Sequence, residues 1–272
     1  MVNVRNPEEA MIVFKHAGDR GDIIYYLPAV KWVCEQRNDK ALFLIESAPY
    51  TREQLTPDKW NGIDAIIRAQ SYILDVQAFR GQKVDFNGND FRPLMQRSLV
   101  PHRVTPEAKQ TCLSDWMLDA HKIPRTAKND AWLSLHDLNR VAPIVINRSG
   151  PGRSKLIYQN PDFPWHEAWR KYKDYAVFIG TPIEHEVFCK VNGEVPFYPT
   201  PDLYQAARVI TGCELFIGNQ SCCHAIAEGL KKNIILEVWR DGPNCLHYRP
   251  GVVHGWDHSV GLPDIIFGEP PQ

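Results

Sequence analysis

The chain predicts an α/β fold of two halves, each a mainly parallel sheet with helices on both faces. Three observations lead there. Short, mostly apolar runs at residues 11–15 (MIVFK), 41–45 (ALFLI), 143–147 (PIVIN), 175–179 (YAVFI) and 233–238 (NIILEV) have the continuous hydrophobicity of strands buried on both faces. Segments with helical spacing alternate with them, the pattern of strands joined by crossover helices. The alternation lapses around residues 134–142 and then resumes, which divides the chain into residues 1–138 and 139–272.

A length of 272 residues accommodates one large or two medium domains. Hydrophobic residues at 44% and charged residues at 23% are ordinary for a globular protein. The formal net charge of −1 supplies no global basic field for nucleic acid or anionic membrane. No apolar run approaches the roughly 20 residues of a membrane span. The opening residues, MVNVRNPEEAMIVFKHAG, place acids ahead of their apolar run and lack a signal-peptide layout, so a cytoplasmic protein is expected. Seven cysteines, an odd number with no C-x-x-C pair and with Cys222 next to Cys223, predict reduced thiols rather than disulfides or structural zinc.

In the N-terminal half the first strand runs into His16-Ala17-Gly18-Asp19-Arg20-Gly21-Asp22, a loop with two glycines. A helix is expected from Asp22, which stands where an N-cap belongs, with Ile23, Leu27, Val30 and Cys34 on its apolar face. Pro28 should bend or restart it. Strands follow at 41–45, 64–67 and 72–76, then polar sequence over 80–90. A helix over 105–118 is expected next, capped by Thr105 with Pro106 in first position.

The C-terminal half repeats the alternation, with strands at 143–147, 175–179, 214–217 and 233–238 and helices at 166–172, 182–191 and 202–210. Thr181 and Glu184 form a capping box for the second of these helices. The stretch that organises the rest is residues 216–230, FIGNQSCCHAIAEGL. Its apolar run meets Gly218, where a sharp turn is expected, then the polar Asn219, Gln220 and Ser221. Ala225, Ile226, Ala227 and Leu230 continue with helical spacing. Strand, glycine turn and helix start in that order expose free N–H groups and the positive end of the helix dipole, which suits an anion such as a nucleotide diphosphate. An ordinary strand-to-helix turn has the same composition. A ligand cleft should lie between the halves, at the C-terminal ends of the strands.

Residues 21–30, GDIIYYLPAV, follow the first strand and resemble the G-D-[IV]-x-x-x-L-P-A-[LV] signature of the ADP-heptose heptosyltransferase family. Phe216 to Ser221, with Ala227, resemble that family's F-[IV]-G-x-D-[ST]-G block and the helix after it, and residues 202–207 resemble the helix before it. The resemblance covers most of the chain in order and is strongest at these two ends. It implies the GT-B architecture of two Rossmann-like domains, with acceptor bound mainly by residues 1–138 and sugar nucleotide mainly by residues 139–272. It also implies inverting transfer without a metal, with no cofactor beyond the nucleoside-diphosphate sugar as co-substrate. Carried over residue by residue, it places the base on Asp22 and diphosphate contacts on Gly218, Asn219, Gln220 and Ser221. The chain departs from the pattern with Gln220 in place of Asp and Cys222 in place of Gly, and the family's following His aligns with Ala225. These departures leave the donor sugar open.

Inverting transfer needs a base beside the acceptor hydroxyl, opposite the leaving diphosphate, and a carboxylate such as Asp22 fits that need. A helix N-cap is the bland account of the same residue, and one carboxylate can serve both ends. His16 and Asp19 share the loop as reserves. The leaving diphosphate needs donors and positive charge. Arg148, Arg153 and Lys155, in a glycine-containing loop after a strand, suit phosphate oxygens, as the resemblance also implies, and equally suit a solvated basic loop. Glu184 could accept from a ribose hydroxyl, although the capping box alone explains it. Glu237 could meet base or sugar, or pair with Arg240. His247, His254 and His258 with Asp257 show no compact zinc spacing. Trp165, Trp169 and Tyr172 form a stripe better suited to a core than to ligand stacking.

The expected activity is transfer of a sugar from a nucleoside-diphosphate sugar to a hydroxyl acceptor. By resemblance the default acceptor is a lipopolysaccharide or other surface glycan. Arg80, Lys83, Arg92, Arg97, Arg103 and Lys109 outnumber the nearby acids, which keeps open a hydroxymethylated base in viral DNA as acceptor. A non-catalytic sugar-nucleotide binding protein is the third alternative, and Asp22 facing away from the cleft would favour it. An epimerase on the same architecture is a weaker one.

Overall fold

The computed structural model describes residues 11–48, 54–100, 103–104, 111–150, 159–239, 242, 244–255, 259 and 261–262. The N-terminal half opens with β1 (Met11–His16), α1 (Arg20–Arg37), β2 (Lys40–Ile45), α2 (Ile63–Arg68), β3 (Ile73–Ala78) and β4 (Phe86–Asn87). The strands form a parallel sheet in the order β3-β2-β1-β4. α3 (Arg92–Ser98), a small antiparallel hairpin of β5 (Leu99–Val100) and β6 (Arg103–Val104), and α4 (Leu113–Ala120) complete this half.

The C-terminal half runs β7 (Ile144–Asn147), α5 (Trp165–Tyr172), β8 (Ala176–Phe178), α6 (Pro182–Asn192), α7 (Leu203–Gly212), β9 (Leu215–Asn219), α8 (Cys222–Gly229), β10 (Asn233–Glu237) and β11 (Val252–Gly255). Its sheet is parallel throughout, in the order β11-β10-β9-β7-β8. The strand order reverses direction between β1 and β4 in the first sheet and between β7 and β9 in the second. Such switch points open a crevice at the carboxyl ends of the strands.

Several sequence expectations change in three dimensions. Residues 64–67 are helical rather than a strand, because Ile63, Ile66 and Ile67 recur at helical spacing and all three are buried. α1 starts at Arg20 with Asp19 in the cap position, so Asp22 lies inside the first turn instead of capping it. The helix also runs through Pro28 without restarting. Residues 23–30 are buried without a break, as expected of a helix wedged between other elements rather than lying on a surface. Asn38, in the left-handed region at φ 50°, ends it by donating to the carbonyls of Cys34 and Glu35. The helix expected over 105–118 spans Leu113–Ala120, and the Thr105 and Pro106 positions fall outside the described residues.

Gly218 lies in a strand, not in a turn: β9 continues through it to Asn219. A Cβ there would stand 2.6 Å from the Asn147 carbonyl oxygen of β7 and 2.8 Å from the Phe216 ring. Close strand packing therefore requires this glycine. Phe216 and Val145 face a core that continues through α8 and α1 to Phe14 and Leu27 of the N-terminal half. Ile144, Ile146 and Ile217 face the opposite side, against Trp165, Trp169 and Tyr172, which are core residues as their spacing suggests. The two halves share one hydrophobic core, and main-chain bonds from Leu113 to Asn244, from Trp132 to Gly229 and from Leu203 to Asn61 cross between them.

Gly218→Ala should lower stability by about 1–3 kcal/mol through overpacking, measured by urea denaturation. Acid should destabilise the fold for a separate reason. Burial holds His16 at a pKa of about 3, helped by the charges of Arg92 and Lys15. Burial also lowers His224 to about 3 against the opposing pull of Glu228, and lowers His247 well below its ordinary value with help from Lys128 and Lys231. These rings are neutral when folded and take up protons on unfolding, where their pKa returns to about 6.5. Stability should be full above about pH 6.5 and fall as pH drops toward 3, by up to about 1.4 kcal/mol per pH unit for each histidine. Urea midpoints compared at about pH 7 and pH 5 measure this slope; a flat profile would contradict the buried neutral assignment.

Candidate functional site

The carboxyl ends of the two sheets, at their switch points, enclose a cleft of about 510 Å³. From the N-terminal half come Asp19, Arg20, Gly21 and Asp22, the start of α1. From the other half come Asn147, Ser149 and Gly150 after β7, Thr181 and Glu184 at the start of α6, and Gln220, Ser221 and Cys222 at the start of α8.

Two helix N-termini thus meet on this cleft. They lie close together at Gly21 and Cys222: a Cβ built at Gly21 would lie 3.7 Å from the Cys222 Cα and 3.8 Å from its nitrogen. One turn deeper, the Tyr25 hydroxyl and the His224 Nδ1 are 2.6 Å apart in a fully buried bond. Ser221 caps α8. Its hydroxyl accepts from the His224 N–H at 3.3 Å and donates to the Asn147 Oδ1 at 3.0 Å. Asn147 in turn donates to the Ile179 carbonyl at the end of β8. The first-turn N–H groups of α8 and the positive end of its dipole are left directed at the cleft, a site for an anion.

The polar residues around Ser221 act on the protein itself. Asn219 is fully buried, and its amide pairs both ways with the Ser149 main chain, accepting from N–H at 3.0 Å and donating to the carbonyl at 2.7 Å. Gln220 donates to the Gly242 carbonyl and to the Asn244 Oδ1, and accepts from the Trp239 N–H at 2.8 Å. It anchors the segment after β10. Gly218 and Asn219, expected to touch ligand, therefore build the cleft from behind, while Gln220 lines it with its amide already committed.

Glu184 completes the anticipated capping box: one oxygen accepts from the Thr181 N–H at 2.8 Å, and the other from the Gly150 N–H at 3.4 Å. Arg148 and Glu237, each expected to face ligand, face each other. The guanidinium holds the carboxylate through two bonds of 2.9 and 2.8 Å, and Glu237 also accepts from the Asn160 N–H and the Trp165 indole. This carboxylate is fully buried, and a fork-shaped pairing of this kind offsets the cost of burying it. Arg153 and Lys155 lie outside the described residues. So do His258, Asp257 and Arg240, while His247 is buried against Tyr25 and Trp132. Among the described residues no group of His, Cys, Asp and Glu side chains is arranged to hold a metal ion.

Tyr25, His224, Asn147 and Arg20 are the site residues that sequence reasoning missed. Tyr25 was within reach of it, since three residues after Asp22 is the same face of a helix. His224 stands one residue before Ala225, the position to which the family's histidine aligns.

No protein-family model and no curated protein matches the chain. Solved structures do. E. coli heptosyltransferase WaaC, solved with ADP-2-deoxy-2-fluoro heptose, superposes with a TM-score of 0.55 at 12% identity, over 89% of this chain and 91% of that one. A glycosyl transferase family 9 protein from Veillonella parvula gives 0.55 at 12% identity, over 90% and 85%. E. coli ADP-heptose lps heptosyltransferase II gives 0.52 at 14% identity, over 95% and 92%. At these identities the likeness is one of fold, and it extends over almost the whole chain: the protein has the GT-B arrangement of two parallel-sheet α/β units.

Proposed function

We propose that the protein is a GT-B glycosyltransferase that moves a sugar from a nucleoside-diphosphate sugar to a hydroxyl acceptor with inversion. The observation that carries this reading is the convergence of Asp22 and the N-terminus of α8 on one cleft. The diphosphate sits on the first-turn amides of α8, at Cys222 and Cys223, where the helix dipole favours the negative charge that builds as the sugar leaves. Arg20 adds a cation on the same wall. These groups stabilise the leaving diphosphate without requiring a metal. Asp22 takes the acceptor proton as the acceptor oxygen bonds to the anomeric carbon, while the bond from that carbon to the phosphate oxygen breaks on the opposite side. Donor class follows the structural neighbours, whose ligands include an ADP-linked heptose analogue.

Two observations weigh between the alternatives. Asp22 lines the cleft and is not the cap of α1, which favours catalysis over simple binding. The described cleft walls carry Asp19, Asp22, Glu184 and Asp202 with Arg20 and form no basic groove of the kind that follows a DNA backbone, which favours a glycan acceptor.

Thermal denaturation with ADP, UDP, GDP and their sugars should show one nucleotide raising Tm selectively, by the linkage of ligand to the native state. No shift with any of them would remove the diphosphate assignment. Asp22→Asn should keep that shift while lowering the rate of sugar transfer about 10²- to 10⁴-fold, the span of general-base contributions. A transfer rate within a factor of two of wild type would take the base role away from Asp22.

A further inference from the structure

We propose that Tyr25 and His224 are positioning residues that set the distance between the base and the diphosphate-binding helix end, an inference that rests on the assignment of Asp22 and α8 above. The argument is one of helix geometry. Asp22 and Tyr25 are three apart on α1, and Ser221 and His224 stand at the cap and third position of α8. Residues at that spacing share a helix face, so each functional helix end has its cross-linking residue directly beneath it. The helix ends lie close at Gly21 and Cys222, where a Cβ on Gly21 would make van der Waals contact with the Cys222 main chain, and the Tyr25–His224 bond spans the same two helices one turn down α1. Two contacts along a pair of rigid helices fix their separation and their relative rotation.

The surroundings keep both partners of this bond uncharged. Burial pushes the Tyr25 phenol well above its ordinary pKa, with nearby Cys245 and Glu228 adding to the effect, so it remains protonated. Burial likewise keeps the His224 ring neutral, and its tautomer sets which of the phenol oxygen and Nδ1 donates. Cys245 is hydrogen bonded to the same phenol oxygen. The Tyr25 ring stacks on His247 with centroids 5.6 Å apart and planes 16° from parallel, and its carbonyl accepts from the Ser114 hydroxyl at 2.9 Å. Each of these neighbours restrains Tyr25, and the bond to His224 is the one that joins its side chain to the start of α8 among the described residues. Tyr25 lines the cleft below Asp22 with its hydroxyl engaged by His224, and His224 stands behind the lining. Their contribution is the spacing of the groups that react.

The test uses Tyr25→Phe, which keeps the stacked ring and removes the hydroxyl, and compares His224→Leu with His224→Asn, whose amide can hydrogen bond in place of Nδ1 in either direction. Cleavage of the nucleotide sugar that raises Tm reports kcat and KM, and titration of its nucleoside diphosphate reports affinity. Tyr25→Phe and His224→Leu should lower kcat about 10- to 100-fold while the diphosphate Kd and KM move less than about 3-fold, in the range that small misplacements of reacting groups produce. His224→Asn should recover to within about 5-fold of wild type. A purely structural role would lower Tm and leave kcat of the folded enzyme unchanged, and that result overturns the proposal. Amide hydrogen exchange decides the matter even if wild-type protein binds no nucleotide, the outcome that would defeat the functional reading alone. In Tyr25→Phe, protection should fall about 10-fold or more at residues 20–25 and 222–225 together. Unchanged protection there overturns the strut whatever the ligand experiments give.

Discussion

The packing of α1 on α8 is the contact on which the rest of the protein depends. Each helix begins at the switch point of its own sheet, and each is buried nearly all round because the other half lies against it. α1 is therefore an internal wedge rather than an amphipathic cover, with residues 23–30 all removed from solvent. The continuous core that runs from Phe14 and Leu27 to Ile226 and Phe216 follows from this arrangement. So does the cleft, which is the space left where the two helix starts meet the sheet ends. A ligand-binding crevice between halves that share a core has walls whose relative placement is already set before any ligand arrives, and pre-set walls reduce the ordering cost of binding.

Buried charge is handled at two places in the C-terminal half, and both stiffen loops that shape this crevice. Glu237, at the end of β10, gathers Arg148, the Asn160 N–H and the Trp165 indole, and so ties the segment after β7 to the sheet end. Glu228, near the end of α8, is likewise fully buried and is held by Lys231 and by the Arg249 guanidinium. The Lys231 ammonium also lies over the Trp132 ring and donates to the Lys128 carbonyl, which connects this cluster to the N-terminal half. A buried carboxylate is expensive unless its oxygens are fully engaged, and removing one partner leaves the remaining charge uncompensated. These networks are therefore demanding of geometry, and they transmit that demand to the loops attached to them.

Much of the architecture was legible in the chain because burial on both faces writes itself as uninterrupted apolar runs. Most strands of both sheets, the Thr181–Glu184 capping box and the Ser221 start of α8 were readable from residue pattern, whereas β4, within polar sequence, and β11 were not. Residues 63–68 were harder, since three isoleucines within six residues satisfy a short strand and a short helix alike, and only the packing of Ile63, Ile66 and Ile67 against the core distinguishes them. The candidate site was legible in outline at Asp22 and Ser221. It was less so at Arg148, Glu237, Asn219 and Gln220, whose polar groups point toward partners tens of residues away.

The sequence by itself determined the fold class, the two-part alternation and the two helix starts that carry the candidate chemistry. Those properties depend on local patterning: apolar periodicity, capping residues and glycine placement act within a few residues of themselves. The tertiary structure alone decided which polar side chains face the cleft and which brace it, and that Tyr25 meets His224. Hydrogen bonds and ion pairs between residues 70 to 200 positions apart have no local signature, because a side chain that binds a ligand and one that binds its own protein use the same donors and acceptors. Only their placement in the folded chain separates the two.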